Sequence, residues 1–174
     1  MKLDLLRNKL VVCDTPCLLY LGRIGRLDLL RALFERVVVP SQVALELDMG
    51  RFLRADTCDP RKLEWARLVE VSQEEIQRLP ANRLGEGERA VIAYALSHKD
   101  HLACLDDRLA RSFAEESGLQ VMGIVGMLVV AKRARLIGEI ASVLEQLKCE
   151  GFRLGEDVIS KALHLAGENE AANK

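Results

Sequence analysis

Three short apolar runs constrain this chain more than any other feature: LVVC at residues 10–13, VVV at 37–39 and HLACL at 101–105. They do not alternate between apolar and polar. Continuous runs of this length read as strands buried on both faces, which is the condition of a parallel sheet covered by helices. Each run is followed closely by a helix-opening signal. Thr15 is a good N-cap and Pro16 is favoured at the first helical position. Pro40 stops the second run and Ser41 opens the next helix. Asp107 is an evident N-cap after the third.

The expected order is strand 10–13, a helix to about residue 21 that Gly22 ends, a helix through Leu27, Leu30, Leu33 and Phe34, strand 37–39, and a helix from Ser41. The pattern is lost over 49–60, which reads as a loop or ragged helix. A helix over 63–68, a short edge strand over 68–71 and a helix over 73–79 behind a Ser72/Glu75 capping box are expected next. The clearest helix is 86–97. Strand 101–105, helix 109–117, strand 119–122 and helices over 124–136, 138–149 and 157–166 complete the order. Strands alternating with helices at this spacing predict an α/β fold, a central parallel sheet with helices on both faces.

With 174 residues, 49% of them hydrophobic, the chain fits a single domain with one core. The net charge of −1 argues against a protein that coats nucleic acid with its whole surface, but not against a local basic groove. The five cysteines are odd in number, and no signal peptide is evident. Free buried thiols and a cytoplasmic location are the expectation. Cys13 and Cys17 lack a second pair to complete a zinc site. His98, His101 and His164 read as turn or surface residues. No apolar run is long enough to span a bilayer, so no membrane partner is expected. No GxxxxGK[ST] loop is present.

Four acids stand out: Asp14, Glu46, Glu88 and Asp106. Asp14 and Asp106 end strands, and in parallel sheets the chemistry sits outside the carboxyl ends of strands. Glu46 rides one helix and Glu88 opens another. Each alone has an ordinary reading as a cap, a favourable helix-dipole partner or a solvated side chain. Thr15 is the expected cap of the first helix, which leaves Asp14 without that role; Asp107 leaves Asp106 likewise. Together, clustered carboxylates raise one another's pKa values unless a cation lies among them. All-oxygen ligation suits Mg²⁺ or Mn²⁺. Such ions orient phosphodiesters and activate water.

The stretches VVCDTPCLLYLGRIGRLDLL, VVVPSQVALEL, LGEGERAVIAYAL and LACLDDRLARSFAEESGLQVMGIVGMLVVAKRARLI, with a final GFRL before a helix, resemble in order a PIN-domain ribonuclease of the VapC-toxin type. The resemblance is nearest to a bacterial and archaeal PIN-like subfamily. It implies a three-layer sandwich, metal-dependent endonucleolytic cleavage of RNA, frequent homodimerisation and often a small antitoxin. It carries catalytic roles onto Asp14, Glu46, Glu88 and Asp106, with Asp14, Glu88, Asp106 and Asp107 as metal ligands. Glu86 and Thr15 are auxiliary. Arg51, Arg108 and Arg111 are candidates for RNA-phosphate contacts. The implied division is a nuclease domain over 1–152, with 153–174 as a C-terminal helix and fraying tail on the same domain. One departure is Pro16, where the family usually has Ser or Asn. It motivates the rival reading, a catalytically degenerate PIN-fold scaffold. A phospho-accepting receiver and a haloacid-dehalogenase-type phosphatase fit less well. The receiver lacks its acceptor Asp and Lys, and Pro16 takes the place of the phosphatase's second Asp.

Overall fold

A computed structural model describes Leu6 and residues 9–53, 57–80 and 83–168. Its centre is a five-stranded sheet in which every neighbouring pair is parallel, in the order β3-β2-β1-β4-β5. The strands are β1 (Leu10–Cys13), β2 (Arg36–Pro40), β3 (Ala66–Val69), β4 (His101–Cys104) and β5 (Val121–Met122). Among the described residues the helices are α1 (Thr15–Arg23), α2 (Asp28–Leu33), α3 (Ser41–Leu53), α4 (Gln73–Gln77), α5 (Glu86–Ser97), α6 (Arg108–Glu116), α7 (Ile124–Arg133), α8 (Ala141–Cys149) and α9 (Glu156–Ala166).

The three central strands are the apolar runs, and they are buried almost throughout: β1 is buried from Val11 to Cys13, and all four residues of β4 are buried, including His101, which is 8% exposed and not the surface residue expected. Helices cover both faces, as continuous apolar strands demand. Helix α5 packs on β1, β2 and β4 and carries α3 and α4 beside it; α2 packs on β2 and α7, and α7 carries α9. The result is the three-layer α/β sandwich that the strand pattern implies.

Strand order decides where ligands can approach. From β1 the chain moves outward through β2 to β3, then returns to the other side of β1 for β4 and β5. The order therefore reverses between β1 and β4. In open parallel sheets a crevice forms outside the carboxyl ends at such a reversal. Asp14 and Asp106 follow the two strands that flank it.

Several local expectations change. Residues 63–68 are not a helix: β3 occupies Ala66–Val69, pairing with Val37–Pro40 of β2. Arg67 and Leu68 suit a helix locally, but the free edge of β2 has ladder groups to satisfy, and tertiary pairing overrides propensity. Helix α3 does not fray at residue 49. It continues to Leu53, although Met49 and Phe52 on it are exposed and so break the amphipathic pattern. Residues 54–56 of the expected loop lie outside the described residues, as do 169–174 of the expected tail. Helix α1 runs past Gly22 to Arg23, and Gly25, at φ 65°, makes the turn instead. The span and capping box of α5 and α4 are as expected: α5 covers Glu86–Ser97, and Ser72 and Glu75 bond reciprocally ahead of α4.

Candidate active site

Asp14 is fully buried and bridges two elements. Its Oδ1 accepts from the backbone N–H of Cys17 at 2.9 Å, and its Oδ2 accepts from the N–H of Asp106 at 3.1 Å. Asp14, not Thr15, is thus the N-cap of α1. The reason is geometric: Asp14 is the last extended residue, and its short side chain reaches the first free N–H groups of the helix. Thr15 is already helical, and its hydroxyl donates to Glu46 Oε2.

Asp106 also has a capping contact. Its Oδ1 accepts from Ile124 N–H, the first residue of α7, at 2.9 Å. Its Oδ2 is buried and has no hydrogen-bond partner. Carboxylate oxygens of Asp14 and Asp106 and the sulfur of Cys104 lie within 4.8 Å of one another. The two strand-end acids are therefore brought together, and the positive charge acting on Asp106 is the Arg111 guanidinium. Burial, and then repulsion from Asp106, push Asp14 well above the usual carboxylate range. Burial pushes Asp106 up to about 6, against the opposing pull of the Ile124 N–H and the Arg111 guanidinium.

The helix acids are held by other contacts, Glu46 through the neighbour of Asp14, Thr15. Glu46 Oε1 accepts from Gly87 N–H at 2.8 Å, so a residue of α3 is tied to the first turn of α5. Glu88 Oε2 accepts from Gly85 N–H at 2.9 Å, closing the start of its own helix. Burial raises Glu88, opposed by that N–H and assisted by the nearby charges of Asp107 and Glu46. Glu46 and Glu88 are not among the atoms within 4.8 Å of the Asp14–Asp106 pair. Asp107 caps α6, accepting from Leu109 N–H at 2.8 Å and Ala110 N–H at 3.0 Å. Glu86 is exposed in the first turn of α5.

Two glycines make this arrangement possible, and sequence reasoning passed over both. A methyl group on Gly87 would lie 2.5 Å from Glu46 Oε2. One on Gly123 would lie 2.6 Å from Asp106 Oδ1, 2.7 Å from an Arg111 nitrogen and 3.2 Å from the Leu105 carbonyl. Each glycine follows or opens the element next to an acid, which is the signal that a close approach leaves in a sequence. Cys104, by its sequence a core thiol, reaches the acid pair.

The arginines divide. Arg111 donates to the Leu105 carbonyl at 3.3 Å, beside Asp106. With Arg108 it lines a cavity of about 750 Å³ that starts at Asp106 and runs between α7 and α9. Arg133, Arg153 and Lys161 line the same cavity, so positive charge dominates its rim. Among the described residues, Arg108, Arg153 and Lys161 make no ion pair. Arg51 is elsewhere engaged: it bonds Asp48 and, at 2.9 Å, Asp59.

The donor set suits a hard divalent cation. The acids supply oxygen alone, and Asp106 Oδ2 is a buried acceptor with nothing to accept from. Among the described residues no helix is long and apolar enough to cross a membrane. A family model described as a PIN domain, DUF3368, matches residues 10–168. No curated protein matches the chain.

Proposed function

The chain belongs to the PIN-domain family, and from that premise we propose that it is a Mg²⁺- or Mn²⁺-dependent endoribonuclease, a toxin-like one of the VapC kind. PIN domains are generally nucleases that bind divalent metal. The observation that carries the reading is the unpartnered, buried Asp106 Oδ2 beside a fully buried Asp14. An isolated buried carboxylate pair is costly without a cation between or near it.

In this reading Asp14, Glu88 and Asp106 hold the ion, with Asp107 at its border. When bound, the ion supplies Lewis acidity toward the phosphodiester and lowers the pKa of water. Glu46 orients the attacking water. Its two oxygens are held by the Gly87 N–H and the Thr15 hydroxyl, so its position is set before substrate arrives. Thr15 thus serves Glu46, and Glu86 extends the negative rim. Attack forms a new phosphorus–oxygen bond, the bond to the leaving oxygen breaks, and the water's proton passes to carboxylate or solvent. Arg108 and Arg111 contact phosphate along the cavity that begins at Asp106.

The partners in this reading are RNA, a second copy of the chain and a small antitoxin, in a cytoplasmic setting. Leu45, Met49 and Phe52 support a protein contact: they are 59%, 67% and 84% exposed on α3, at i, i+4 and i+7. The mass of the purified protein in solution tests the second copy.

Cleavage of RNA by the purified chain, with Mn²⁺, Mg²⁺ or chelator, tests the activity. Asp14→Asn is expected to lower metal-dependent cutting by at least about 100-fold. An intact RNA panel with no metal binding by calorimetry would instead favour a degenerate PIN-fold scaffold, the reading that Pro16 motivates.

A further inference from the structure

Behind the acid pair three sulfurs meet. Cys13 ends β1, Cys104 ends β4 as its register partner, and Cys17 lies in the first turn of α1. All three are fully buried free thiols. Their sulfur atoms lie within 4.8 Å of one another. Buried cysteine often packs as a small hydrophobe. Packing alone does not require three separate elements to aim sulfur at one point. Cys104 also belongs to a second set, with Asp14 and Asp106, at the same spacing. The thiol nest therefore shares a wall with the acid pair, and Asp106 lines the cavity that reaches the surface.

The geometry selects a class of ion. Three thiolates in a plane around an ion, with metal–sulfur bonds of about 2.3 Å, stand about 4.0 Å apart. The upper limit of 4.8 Å on the sulfur separations admits that spacing. Zinc normally takes four ligands. Among the described residues no fourth Cys, His, Asp or Glu joins this set. Soft thiolates without a fourth donor favour monovalent copper.

We propose that Cys13, Cys17 and Cys104 form a binding site for a soft monovalent cation of the copper(I) class, adjoining the acid pair through Cys104. Each thiol that ligates as thiolate gives its proton to bulk water. This site stands apart from the nuclease reading and does not depend on it.

The test is anaerobic titration of the full chain with copper(I) against a competing chromophoric chelator. The other two cysteines, half-buried Cys58 and exposed Cys149, are first replaced as Cys58→Ser and Cys149→Ser. The expected result is one copper per chain with a sulfur-to-copper charge-transfer band in the near ultraviolet. In that background Cys17→Val should weaken binding by more than the roughly 10- to 100-fold that loss of an outer-shell partner costs. Cys17→Ala replaces it where circular dichroism shows that the valine variant has not folded. Glu46→Gln, which removes the water-orienting acid of the nuclease reading, should bind copper as tightly as the parent. Failure of the nuclease reading would therefore leave this result standing. Uptake well below one copper per chain, equal affinity in the Cys17 variants, or equal uptake by the urea-unfolded chain would overturn the proposal.

Discussion

The chain gathers carboxylates in two places and treats them in opposite ways. Near the end of α3, Asp48 and Asp59 are met by Arg51 and Arg61, with Arg61 contacting Asp48 at 2.8 Å and Asp59 at 3.3 Å. Hydrogen bonding from Arg51 is the main cause that holds Asp59 below the usual carboxylate range. At the ends of β1 and β4 the acids receive backbone N–H groups and each other, and their pKa values rise. The first cluster is complete within the protein. The second is assembled at a cost that the Arg111 guanidinium offsets only in part, since Asp106 is still pushed up. Charge count does not distinguish them; the supply of guanidinium does.

The sharpest way to break this contrast is to crowd the second cluster without changing its charge. Gly123→Ala would drive a methyl into Asp106, Arg111 and the Leu105 carbonyl, the last of which is backbone and cannot swing aside. It should cost about 100-fold in RNA cleavage and lower the melting temperature, by roughly 1–3 kcal/mol of stability. Gly87→Ala meets only the end of the Glu46 side chain. Cleavage should fall comparably while the melt moves little. Full activity in both variants would mean that neither acid needs its present position.

A smaller effect comes from protons. Asp106 titrates at about 6 in the folded chain against an ordinary 3.8. Between those values the folded state binds more protons than the unfolded state, so stability falls as pH rises from about 4 to about 6 and is then level. The size is on the order of 1–3 kcal/mol. Melts in chelator, taken as wild type minus Asp106→Asn, should show that fall, and Mn²⁺ should remove it above pH 6. A difference that rises with pH would contradict the picture of an acid that burial pushes up.

The smallest effect belongs to the other cluster. Arg51 and Asp48 are 29% and 27% exposed, and pairs of this kind contribute below about 1 kcal/mol. Arg51→Ala should shift the melt slightly and leave cleavage unchanged. A large loss of cleavage at unchanged stability would return Arg51 to the phosphate contacts.

How much of this was legible in the sequence depends on how local the cause is. Strands β1, β2 and β4 are apolar runs with stop signals, and Glu86–Ser97 is bounded by its own residues, so each could be read. The acids could be singled out because strand ends and helix starts are visible in a sequence. Which hydrogen bonds they make could not. That the Thr15 hydroxyl goes to Glu46, thirty-one residues on, is a remote fact of this kind. The pairing that makes β3 a strand is also remote. So is the spacing that Gly87 and Gly123 keep open, since each is a matter of distance to another element. The division of arginines into those engaged and those lining the cavity has the same origin.

Sheet order also sets a clock. β1 is made first, yet its acid meets its counterpart only after β4 has formed, because the Asp106 N–H that bonds Asp14 lies 92 residues away. At the usual pace of synthesis the interval between the two is on the order of ten seconds. During that time a growing chain carries Asp14 and Glu46 without Asp106. A nascent chain that has not yet reached Asp106 therefore lacks the full acid set, whatever part of the sheet it has already built.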